Sequence, residues 1–180
     1  PIRVLGPMPE HSDNTTGRIR GANARIPGEL EMALFPSVEW FEAVRQVFNS
    51  NDSYQTVGGA ACEATFGIKV GPGVFILEFE GFECSGIKRA VEEDLNEVDF
   101  YLDMEFHEWR EMLTNIKENG AADLRHTLNS LDMSRSPDGL ARTKTGDGYR
   151  LDLFFRYNQT FQHYFNASSR IATEFTVPSG

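Results

Sequence analysis

The sequence predicts an α+β domain: an antiparallel or mixed, curved sheet of about five strands packed against helices. Three stretches carry that prediction. In Val98–Ile116, apolar Val98, Phe100, Leu102 and Met104 alternate with Asp99, Tyr101 and Asp103, the period of a half-buried strand. The apolar positions then change to Phe106, Trp109, Met112/Leu113 and Ile116, which is one face of a helix. The second stretch, Glu63–Val91, reads as three short strands joined by tight turns. The third, Tyr149–Ile171, is aromatic at helical spacing.

Residues 1–36 are rich in Pro, Gly and polar side chains and show no period, so an extended or partly disordered arm is expected there. Its basic cluster, Arg18, Arg20 and Arg25, suits docking on the acidic body or on a second subunit. The folded domain is expected over residues 37–172. Ser37 is placed to cap a first helix whose apolar stripe is Val38, Phe41, Val44 and Val47/Phe48. A polar link through Gly58–Gly59 follows.

The first strand, Glu63–Val70, sets Ala64, Phe66, Ile68 and Val70 on one face. Gly71–Pro72–Gly73 supplies a turn. In the second strand Phe75, Leu77 and Phe79 oppose Val74 and Ile76. The third strand, Phe82–Val91, is interrupted by Gly86, which suits a bulge. The crowded carboxylates Glu92, Glu93, Asp94, Glu97 and Asp99 read as a solvated loop. Gly120 ends the central helix. Ala121, Leu124, Leu128 and Leu131 predict a short second helix, Gly120–Asp132, broken at Ser134–Gly139. Leu140–Thr145 is a candidate short strand. Asp147 is placed to cap the closing helix, whose face carries Leu151, Phe154, Phe155, Asn158, Phe161, Tyr164 and Phe165, with Tyr157 on its margin. Residues 173–180 read as a loose tail.

Bulk properties narrow the function. The chain has 180 residues and a net charge of −10, a surface that repels phosphate backbones, so no nucleic-acid partner is expected. No apolar run reaches the ~18 residues of a membrane span, and stable membrane insertion is not expected. The opening PIRVLGPMPEHSDNTT lacks the apolar run of a secretory leader, which makes the cytoplasm the expected compartment. Two cysteines, Cys62 and Cys84, are too few for a disulfide framework. Asn14, Asn51, Asn158 and Asn166 head Asn-x-Ser/Thr triplets. His107, His126 and His163 sit on different elements without the HExxH spacing of zinc enzymes, no G-x-S-x-G elbow occurs, and neither GPG nor GDG has the context of a phosphate loop. No cofactor or metal is expected.

Two segments, VDFYLDMEFHEWREMLTNIKENG and ARTKTGDGYRLDLFF, together with the element order over roughly residues 38–165, resemble the sterol carrier protein type 2 domain. The first resembles that family's strand, polar turn and apolar helix; the second resembles its short strand, Gly–Asp pair and closing helix. The chain departs from the family in the helical segment Gly120–Asp132 and in the N-terminal arm. The resemblance implies a sheet floored by helices around an apolar tunnel that takes a lipid, fatty acyl or sterol-like molecule.

Fourteen Phe, five Tyr and two Trp fit such a pocket, and they equally fit a filled core. On the carrier reading the expected lining is Phe100, Leu102, Phe106, Trp109, Leu113, Phe154, Phe155, Tyr157, Phe161 and Phe165. A second reading is a small enzyme that resembles nuclear transport factor 2, using an Asp/His or Asp/Tyr dyad for isomerisation, dehydration or epoxide opening. Asp103, His107, Tyr101 and Asp152 are the groups available for it. A third is an interaction module in which the aromatic closing helix or the arm makes a homodimer.

Overall fold

A computed structural model describes residues 32–51 and 60–178. The arm before Met32, its arginine cluster and the Gly58–Gly59 link lie outside the described residues. The elements run β1 (Met32–Phe35), α1 (Val38–Asn49), β2 (Ala64–Val70), β3 (Gly73–Glu80), β4 (Glu83–Ala90), a 3-10 turn (Glu92–Asn96) and β5 (Phe100–Met104). There follow α2 (Phe106–Asn119), α3 (Leu128–Ser134), β6 (Ala141–Arg142), α4 (Gly148–Asn166), a second 3-10 turn (Ala167–Arg170) and β7 (Ala172–Phe175). The fold class is α+β, as the sequence predicts.

The main sheet has the order β4-β3-β2-β5-β6. Its pairs are antiparallel except β2–β5, which run parallel with Phe66 opposite Phe100 and Val70 opposite Met104. Gly71, at φ 57°, turns β2 into β3. A bulge shifts the β3–β4 register between Glu78 and Phe79, so that Ser85 falls between the partners Gly86 and Cys84. β1 and β7 form a separate parallel ribbon, with Met32 beside Ala172 and Phe35 beside Phe175.

Local chemistry fixes the helix ends. The Ser37 side chain accepts from the Trp40 amide at 3.0 Å, and Asp147 accepts from the Tyr149 amide at 2.9 Å. Gly120 closes α2 at φ 80°, a left-handed conformation that Gly adopts without a Cβ clash, and its N–H donates to the Ile116 carbonyl.

One face of the sheet, with Phe66, Ile68, Phe75, Leu77, Phe79, Phe100 and Leu102, packs on α1, α2 and α4. The other face is covered too: Val74, Ile76 and Tyr101 lie under Leu95 and Val98. The acidic run before β5 is therefore a plug held by its one leucine. Its Glu92 reaches Lys144 at 2.7 Å and Lys69 at 3.2 Å.

Three boundaries differ from those read in the sequence. Residues 32–35, assigned to the arm, are a strand, and residues 173–175, assigned to the tail, are most of its partner. The helix expected from Gly120 starts at Leu128 instead, with Thr127 as its cap. Asp123 accepts from the amides of Arg125 and His126, which holds the preceding residues in a turn and leaves Leu124 88% exposed. The closing helix is kinked at Tyr157 (φ −112°, ψ 16°). Phe154 is buried, and Phe155, one residue and about 100° further round the helix, is 47% exposed.

Candidate functional site

The expected lining residues fall into two groups. Phe100, Leu102, Trp109, Leu113, Phe154, Phe161 and Phe165 are buried; Phe106 and Tyr157 are half-buried, and Phe155 faces outward. The buried rings meet one another. Phe161 lies 4.6 Å from Phe66 and 5.5 Å from both Phe79 and Phe100, centroid to centroid. Phe66 stacks on Phe100 at 5.1 Å, and Trp109 meets Phe165 at 5.4 Å. These separations are those of favourable aromatic pairs in contact. The Trp109 Nε1–H donates to the Lys69 carbonyl at 3.1 Å, and the Tyr164 hydroxyl donates to the Phe41 carbonyl at 2.6 Å, so the polar atoms in this cluster have partners.

Among the described residues no hydrogen bond joins any two of the groups of the dyad reading, although Tyr101 and Asp103 share one face of β5 and both lie near Lys144. The Asp103 carboxylate accepts from Arg142 at 3.2 Å on the sheet edge, while Lys144 stands 5.8 Å from the Tyr101 ring. Asp152 pairs with Arg156 along α4 at 3.4 Å, and His107 is exposed. Cys62 and Cys84 are free thiols, both buried. Burial pushes each thiol up to about 12, which removes them as nucleophiles. Among the described residues no group of three His, Cys, Asp or Glu side chains could hold a metal ion, and no helix is long and apolar enough to cross a membrane.

A concavity with apolar walls lies elsewhere among the described residues. A half-open groove of about 650 Å³ runs between α2 and β7. Met32, Leu113, Ala172 and Phe175 form its apolar surface, with Thr114, Lys117, Glu118, Thr173 and Glu174 completing the walls and rim. Of the ten residues expected from the sequence, Leu113 alone lines it. The two walls are tied together at one end, where Lys117 Nζ donates to the Ser169 and Ile171 carbonyls at 2.9 and 3.1 Å. At the other end the Arg110 guanidinium lies 5.7 Å from the Phe175 ring centroid. Glu118 and Glu174 have no ion pair or hydrogen bond among the described residues, so the rim carries free negative charge.

Thr114 and Glu118 are shared with a polar hollow on the outer side of α2, lined also by His107, Arg110, Glu111, Asn115 and His126. There the His126 ring sits between Asp123, 2.7 Å from Nδ1, and Glu111, 3.4 Å from Nε2. The hydrogen bond to Asp123, aided by Glu111, raises the pKa of His126 above its ordinary value, and Asp123 is correspondingly lowered to about 2.

Residues 173–180 read as a loose tail in the sequence, which hides the groove that most of β7 helps to wall. A signal for it exists: Ile171, Thr173, Phe175 and Val177 alternate with Ala172, Glu174 and Thr176, the period of a strand. Comparison with family models, with curated protein sequences and with solved structures returns no match.

Proposed function

We propose that the protein binds and carries an apolar small molecule, a lipid, fatty acyl or sterol-like compound, in the groove between α2 and β7. The observation that carries this reading is the groove itself: its volume lies in the range of small-molecule sites, and Met32 is 72% exposed on its wall without a covering partner among the described residues. The element order that resembles the sterol carrier protein type 2 domain supports the same ligand class. It does so with a changed location, since the rings expected to line an internal tunnel fill it themselves.

The driving force is apolar area removed from water. An acyl chain or polycycle burying ~300 Å² gains about 7 kcal/mol before the entropy of association is subtracted, a micromolar-scale interaction at best. The test is uptake of the neutral fluorescent probe N-phenyl-1-naphthylamine by delipidated protein. The expected result is one equivalent bound, with uptake weakened in Thr114→Trp, where an indole at a groove-lining position of α2 takes up part of its volume. Absence of uptake at protein concentrations up to about 1 mM, or full uptake by the folded variant, refutes the reading.

A further inference from the structure

β7 offers the groove hydrogen-bonding groups as well as apolar walls. β1 and β7 pair in parallel, and the Thr176 amide donates to the Phe35 carbonyl at 3.0 Å. Alternate residues of a strand send their N–H and C=O to opposite edges. Ala172, Glu174 and Thr176 therefore turn towards β1, while Ile171, Thr173 and Phe175 turn away from it. What lies on that second side is shown by the Ile171 carbonyl, which accepts from Lys117 of α2. Next along the same edge come the backbone groups of Thr173 and Phe175. They have no hydrogen-bond partner among the described residues, and both residues line the groove. Across from them on α2 stand the Thr114 hydroxyl and the Glu118 carboxylate, also without partners.

We infer that the groove takes an apolar chain headed by a secondary amide, an N-acyl amphiphile, held by its amide between the open edge of β7 and the polar groups of α2. The inference rests on the groove reading above and names the ligand's head. A trans amide is planar and points its C=O and N–H in opposite directions. Lying in the groove it presents its C=O to a β7 amide, and its N–H to Thr114 or Glu118. Both walls are satisfied by one group. A carboxylate head has no proton to offer α2 and meets the free charges of Glu118 and Glu174, while Lys117 already gives two of its three protons to carbonyls. An extended peptide supplies further amides that the four-residue strand does not pair. A second copy of β7 reaches this edge only by bringing its own α2 alongside.

The experiment is displacement of bound N-phenyl-1-naphthylamine from the full chain by four competitors: N-methyldodecanamide, N,N-dimethyldodecanamide, dodecanoate and a blocked apolar tripeptide. The secondary amide should bind about fivefold tighter than the dimethyl compound, the effect of one hydrogen bond. Dodecanoate and the tripeptide should be weaker than the secondary amide. In a Thr114→Val/Glu118→Met variant, the ratio of secondary-amide to dimethyl-amide affinity should fall to about one, each affinity being read against that variant's own affinity for the dye. Equal displacement by the two amides, stronger displacement by dodecanoate or the tripeptide, or an unchanged preference in the variant overturns this inference alone. Failure of the dye to bind at all overturns the groove reading and this inference with it.

Discussion

Truncation of Phe161 separates a filled core from an internal tunnel. Phe161 is fully buried on α4 and touches Phe66, Phe79 and Phe100, rings drawn from three different strands. If those rings fill the interior, Phe161→Ala opens a cavity that rigid neighbours cannot close, at a cost of about 4 kcal/mol. For a domain of this size that corresponds to a fall in Tm of about 8–16 °C. Urea unfolding and calorimetry read both quantities. Phe155→Ala is the internal control, because its ring is 47% exposed and its removal should cost less than about 1 kcal/mol. The reasoning fails if Phe161→Ala is as mild as the control, since the ring would then border empty space and an interior ligand site would be restored.

Three further outcomes follow from single sites. Gly67→Ala places a Cβ 2.3 Å from Leu95 Cδ2 and 3.0 Å from Tyr101 Cβ; with Leu95 buried, it should cost about 1–3 kcal/mol in urea unfolding, and a neutral result contradicts the tight seat of the plug. His126 has its pKa raised by Asp123 and Glu111, so its contribution is complete below the unfolded value of about 6.5 and is lost as pH rises through the higher folded value. Asp123, lowered to about 2, contributes above its unfolded value of about 3.9 and loses that contribution only as pH falls towards 2. The Tm difference between wild type and His126→Gln should therefore shrink from pH 6 to pH 8, whatever opposite trend His163, whose pKa burial lowers, adds to both proteins; a difference that does not change with pH contradicts the assignment. Cys62 and Cys84, with thiols pushed to about 12, should not react with a thiol reagent in native protein at pH 8 and should both react once unfolded.

The local elements were legible where one short-range signal dominates. The change of period at Met104–Phe106 marks the passage from β5 to α2, Gly120 marks its end, and Ser37 and Asp147 are caps in the structure. What could not be read locally depends on distant partners. Trp40 falls outside the stripe of α1 as spaced in the sequence, yet it is fully buried, because the β1–β7 ribbon covers that side and Thr173 accepts its Nε1–H at 2.9 Å. Leu124 matches a helical period but lies in a turn, because the Asp123 side chain captures the amides a helix would need. Phe155 is expected on the aromatic face of α4 but points outward, since it stands about 100° round the helix from the buried Phe154. Whether the rings of the expected lining enclose a space is hidden from the sequence in the same way. Aromatic residues counted along a chain do not reveal whether rings enclose a space or one another, and only their pairing across β2, β3, β5 and α4 decides it.

Amide chemical-shift mapping of N-phenyl-1-naphthylamine binding puts the ligand in one place or the other. Perturbations gathered at Thr114, Lys117 and Ala172–Phe175, with Phe66, Phe100 and Phe161 unmoved, are the predicted result. Perturbations centred on Phe66, Phe100 and Phe161, or none anywhere, would contradict it.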